Sequence, residues 1–186
     1  YALYNLTSSS TYNTSVGSYS LYTANSSSNY NTAVGYRALY NGTNHSNCAF
    51  GYDSLKNTTT GQYNTAMGFQ SGITNTTGNY NTYIGYAADT NANNYSNSTA
   101  IGYDSAITKS DQIVLGKSSS PPQVYIPGNV GIGTTSPGTE LHVSGNNQVA
   151  IFEGTDHVYT RYKVNGNNYA YIGYPSANSK DFSIVN

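Results

Sequence analysis

"QYNTAMGFQSG" (62–72) is one copy of a phrase that returns as "NYNTAVGYRAL" (29–39), "HSNCAFGYDSL" (45–55), "NYNTYIGYAAD" (79–89) and "SNSTAIGYDSA" (96–106). Aligned on the glycine, six copies carry Gly17, Gly35, Gly51, Gly68, Gly85 and Gly102, at intervals of 18, 16, 17, 17 and 17 residues. A shorter variant, "SDQIVLGKS" (110–118), ends the array at Gly116. A period this steady means one supersecondary unit stacked many times.

The unit reads as extended chain. Within 63–69, Thr65, Met67 and Phe69 share one face of a period-two pattern and Ala66 and Gly68 share the other. The intervening "NTTTG" (57–61), "TNTTGN" (74–79) and "TNANN" (90–94) are turn chemistry, and no window carries a 3.6-residue apolar stripe. About seventeen residues allow two short strands and two turns, one complete coil. Stacked coils place equivalent residues about 4.8 Å apart, so like side chains form ladders up the stack. The fold class expected is therefore all-β, a parallel β-roll or solenoid.

Asn13, Asn31, Asn47, Asn64 and Asn81 open successive copies and are expected to form an amide ladder, bonding backbone at a turn or the next asparagine; Ser98 stands in the sixth copy. The face of Ala33/Gly35, Ala49/Gly51, Ala66/Gly68 and Ala100/Gly102 is nearly bare of side chain. Small residues in a column imply a closely approaching backbone, which predicts neighbouring chains packed along that face. Two tyrosine sets also recur in register. Tyr36, Tyr52, Tyr86 and Tyr103 follow the glycine, while Tyr12, Tyr30, Tyr63 and Tyr80 precede the asparagine. An aromatic column stabilises a stack, and tyrosine with asparagine also suits sugar faces and hydroxyls. If the chain turns at the asparagine, Tyr12, Tyr30, Tyr63 and Tyr80 lie outside and are the glycan-binding candidates.

Composition excludes several function classes. Charged residues are 8% of the 186 and the formal net charge is −1. Nucleic acid and anionic membrane surfaces are not expected partners, and no apolar run reaches the ~18–20 residues of a membrane helix. Cys48 is the single cysteine, read as a small packed side chain; no intrachain disulfide is possible. "GIGTTS" (131–136) approaches a phosphate loop, but Pro137 follows and no helix pattern begins there. Glu140 and Glu153 are the only glutamates, and His45, His142 and His157 are scattered. Asp53 and Asp104 occupy equivalent positions three coils apart and read as solvated turn residues. No catalytic residues, metal ligands or cofactors are assigned.

The phrases "NTAVGYRAL", "NTAMGFQSG" and "STAIGYDSA" resemble the head repeats of trimeric autotransporter adhesins, with the consensus Asn-Ser-x-Ala-Ile-Gly, in the longer-period form of phage tail and capsid fibres. The resemblance implies a left-handed roll and a homotrimer. "GNVGIGTTSPGTELHVSG" (128–145) resembles a segment of phage and virus fibre proteins that often precedes an endosialidase-type intramolecular chaperone, and "YIGYPSANSKDFSIVN" (171–186) is similar to the same neighbourhood. "YALYN" (1–5) matches "YRALYN" (36–41), so the array is expected to continue upstream in a longer protein, with the chaperone removed downstream.

The expected organisation is a repeat array over 1–116, a Pro/Gly-rich connector over 117–138, and a small antiparallel β domain over 139–186. Within the last, "TELHV", "QVAIFEG", "HVYTRYKV", "NYAYIGY" and "DFSIV" read as strands. The expected function is a non-enzymatic structural and adhesive fibre segment, extracellular on a virion or cell surface, with itself and surface polysaccharide as partners. A fibre-borne depolymerase, a bacterial surface filament and a flat ice-binding array are the alternatives.

Overall fold

The computed structural model describes residues 1–5, 10–25, 28–145, 158–164, 167–174 and 183–185. Within them the chain has no helix and divides into two compact units, Tyr1–Gln123 and Val124–Asn186.

Unit one is a parallel solenoid. Each coil contributes one three-residue strand: β1 (Thr14–Val16), β2 (Thr32–Val34), β3 (Cys48–Phe50), β4 (Thr65–Met67), β5 (Thr82–Ile84), β7 (Thr99–Ile101) and β9 (Ile113–Leu115). They form one seven-stranded parallel sheet in chain order. Register puts like on like: Thr65 pairs with Thr82, Met67 with Ile84, and Ala49 with Ala66. Among the described residues, the second strand expected in every coil is present only as β6 (Asp89–Thr90) and β8 (Ala106–Ile107), themselves paired in parallel. Elsewhere that wall is built of turns whose amides bond across the rungs, as in Leu39 N–H to the Ser54 carbonyl (3.0 Å) and Leu55 N–H to that of Ser71 (2.9 Å). Rung-to-rung bonding thus continues where the dihedrals are too irregular for a strand.

The interior is narrow. Leu21, Leu39 and Leu55 on the turn wall and Ala33, Ala49, Ala66 and Ala100, the middle residues of their strands, are all buried in one apolar core. The alanine face is therefore not a surface for neighbouring chains. It is small because the opposite wall's leucines occupy the space in front of it. The backbone that approaches the glycine column belongs to the next coil: Gly51 has φ 135°, and a Cβ added there would strike the carbonyl of Gly68. At β5 the middle residue is Tyr83, fully buried, and the leucine column is interrupted by Gly72 beside it. A Cβ on Gly72 would lie 2.8 Å from the Tyr83 ring and 2.7 Å from Leu55. The tyrosine occupies the volume that the missing leucine leaves.

Outward-pointing strand residues form the other consequence of this geometry. Val16, Phe50, Met67, Ile84, Ile101 and Leu115 are 38–57% exposed and lie in one line parallel to the stack, with Val34 half-buried among them. No charged side chain interrupts the line.

In the second unit, β10 (Val130–Ile132) pairs with β11 (Leu141–Val143) in parallel. The first lies inside the stretch expected as connector, and "TELHV" joins it rather than an antiparallel ladder. Strands β12 (Val158–Val164), β13 (Asn167–Tyr174) and β14 (Ser183–Val185) do form an antiparallel sheet in the order β12-β13-β14. The strand expected at "QVAIFEG" lies outside the described residues.

Candidate functional site

The asparagine column is the hydrogen-bond spine of the array. Asn31, Asn47, Asn64 and Asn81 are buried, and each Oδ1 accepts the backbone N–H of the residue one coil on: Asn47 (2.9 Å), Asn64 (3.0 Å), Asn81 (2.9 Å) and Ser98 (3.1 Å). Each Nδ2 donates to a turn carbonyl, Asn47 to Gly61 (2.9 Å), Asn64 to Gly78 (2.8 Å) and Asn81 to Tyr95 (2.7 Å). Asn13 bonds the same way, its Nδ2 donating to the Ser28 carbonyl and its Oδ1 accepting from Asn31 N–H. Both halves of a buried amide are satisfied, so the position tolerates few other side chains.

Preceding Asn13, Asn31, Asn64 and Asn81, the residues Tyr12, Tyr30, Tyr63 and Tyr80 have φ of 58–60° and are 50–75% exposed. The left-handed turn points the ring outward. Tyr12 stacks on Tyr30 (5.0 Å, 7° between planes) and Tyr63 on Tyr80 (4.9 Å, 3°), and Ser46 fills the same place in the coil between the two pairs. The glycan candidates are therefore two separate ring pairs, not one continuous platform.

After the glycine, Tyr36, Tyr52, Phe69, Tyr86 and Tyr103 form an unbroken stack with centroids 5.0–5.6 Å apart. A third column, Tyr4, Tyr22 and Tyr40, stacks at 5.1 and 5.2 Å. Each stacked pair adds about 0.5–1.5 kcal/mol beyond burial. Sequence reading missed this third column. Its signal was the 18-residue spacing of Tyr4, Tyr22 and Tyr40, the last two each five residues past an aligned glycine.

Charges gather where the columns change composition. Arg37 and Asp53 occupy equivalent positions in successive coils, and the guanidinium grips the carboxylate through Nε (2.7 Å) and Nη2 (2.6 Å). Lys56 Nζ stands 3.8 Å from the same carboxylate. Asp53 is thus a buried, paired anion, 2% exposed, and not the solvated turn residue expected. Asp104 is half-exposed and paired with Lys117 at 2.5 Å. The Arg37 guanidinium lies 4.9 Å over Tyr36 and 5.6 Å from the Tyr52 ring centroid. Tyr19, Tyr36, Arg37, Tyr40 and Lys56 line an open cleft of about 490 Å³.

Among the described residues, no three histidine, cysteine, aspartate or glutamate side chains converge as metal ligands. No family model, curated protein or solved structure matches this chain.

Proposed function

We propose that this chain is a structural and adhesive segment of an extracellular fibre, carried on a virion or cell surface, that self-associates and presents aromatic ladders to surface glycans. One observation carries the reading: the uncharged apolar line from Val16 to Leu115 runs along the seven-stranded stack and is left wet in a single chain. Burying such a line against copies of itself removes it from water at about 25 cal/mol per Å². Closed rotational symmetry, as in a homotrimer, gives every copy the same partner surface. The opposite walls then remain free, and repeated weak contacts from several copies add through avidity. Exposed tyrosine rings flanked by amides supply those contacts.

Immobilised glycans test the adhesive half. The isolated chain is expected to bind a subset of surface polysaccharides without releasing new reducing ends. Release of reducing ends would establish depolymerase activity instead, and failure to bind any glycan would remove the adhesive role.

A further inference from the structure

We infer that the cleft lined by Tyr19, Tyr36, Arg37, Tyr40 and Lys56 binds a carboxylate-bearing sugar residue of an acidic polysaccharide; this rests on the adhesive reading and names its ligand class. Three features of the cleft carry the inference. The first is the way the cations are held. Asp53 takes Nε and Nη2 of Arg37, and Nη2 also reaches the Tyr52 hydroxyl at 3.2 Å, leaving Nη1 with no partner among the described residues. Lys56 Nζ, at 3.8 Å, is near enough to Asp53 to be oriented by it but too far for a hydrogen bond. The buried carboxylate thus fixes two cations while leaving donors on both unspent, and the three groups sum to a single positive charge.

The second feature is the wall. Tyr19 meets Tyr36 edge-on, at 6.0 Å and 88°, and leans against Tyr40 at 6.4 Å and 55°. Rings set at wide angles offer faces in more than one direction, and the phenol hydroxyls place donors at their rims. A pyranose presents apolar C–H faces and equatorial hydroxyls, which this surface matches. The cleft volume of about 490 Å³ falls within the ~300–1,000 Å³ typical of small-molecule sites.

The third is the singularity of the place. At the Arg37 position the successive coils carry Tyr19, Arg37, Asp53, Gln70, Ala87 and Asp104, and in the third column Lys56 follows Tyr40. Among the described residues two cations share one carboxylate only here; Lys117, 5.6 Å from the Tyr103 ring centroid, has Asp104 to itself at 2.5 Å. With a chain charge of −1 and no further cation lining the cleft, a polyphosphate has little to hold it. One carboxylate per sugar residue fits a single net positive charge.

The test is calorimetric titration of the full chain with a galacturonic acid tetrasaccharide and with its carboxyl-reduced counterpart. The acidic sugar is expected to bind at least tenfold more tightly, and more weakly as salt is raised. Lys56→Gln, which leaves the Arg37–Asp53 pair intact, is expected to cost about tenfold in affinity. The double variant R37Q/D53N removes the pair without stranding a buried charge and is expected to abolish the preference for the acid. Lys109→Gln, remote from the cleft, is expected to bind as the parent does. Equal affinity for both sugars, or an unchanged Kd in Lys56→Gln, would overturn the inference while leaving glycan adhesion standing. Inorganic phosphate binding that depends on Lys56, with the acidic sugar silent, would overturn it as well.

Discussion

At the scale of single residues, the array is governed by what a position must do for the coil above it. The glycine column needs φ near 135° and no Cβ, two demands met by the same residue. Gly68→Ala is expected to destabilise unit one by about 2–4 kcal/mol, the left-handed strain adding to a steric clash with the Gly85 carbonyl. Denaturant titration monitored by circular dichroism checks it, and a loss under about 1 kcal/mol would contradict it.

Asp89 gives a residue-scale test in pH. It stands in the leucine column's place one coil past Gly72, and burial raises its carboxyl pKa, partly offset by hydrogen bonds from Thr74. A folded pKa above the unfolded value means stability that is full below the ordinary value of 3.8 and falls as pH rises through the raised one. Asp89→Asn is expected to flatten that decline and to raise Tm relative to the parent near pH 7. Parallel Tm–pH curves for the two proteins would refute the assignment. The glycine and asparagine positions were legible because each is met by one letter repeated. The Arg37–Asp53 pair was not, since six coils fill that position with five residue types.

Elements were legible in their spacing and misread in their polarity. Period two tells which side chains share a face, but not which face looks inward. Ala33, Ala49, Ala66 and Ala100 were read as a face for neighbouring chains because a column of small residues implies a closely approaching backbone. The width of the coil decided otherwise, because leucines from the turn wall reach across it. The break at β5 tests this account of the interior. Tyr83→Ala is expected to cost about 3–5 kcal/mol by opening a cavity. Gly72→Leu alone should be destabilising through its clash with the Tyr83 ring, and the two together should recover most of the loss. A double-mutant cycle measures the coupling. Additive losses would mean that the two positions do not share one volume. The turn wall was also harder to read than the sheet, since its left-handed residues, Leu21, Leu39 and Leu55 among them, use conformations that sequence patterns assign to glycine or asparagine.

For the whole molecule, repetition converts small local choices into long surfaces. One outward position per strand becomes an apolar line, and one position after each glycine becomes a five-ring stack. The parallel pairing of β10 and β11 was not legible, because eight residues that include Pro137 join them, fewer than the dozen or more that such crossovers usually take. The fibre reading places the apolar line at an interface between copies. Light scattering across a concentration series tests it most directly. The isolated chain is expected at three times its 19.9 kDa mass, and Met67→Lys with Ile84→Lys is expected to return it to single chains that keep their β spectrum. A parent chain that stays at its single-chain mass at every concentration would contradict the account.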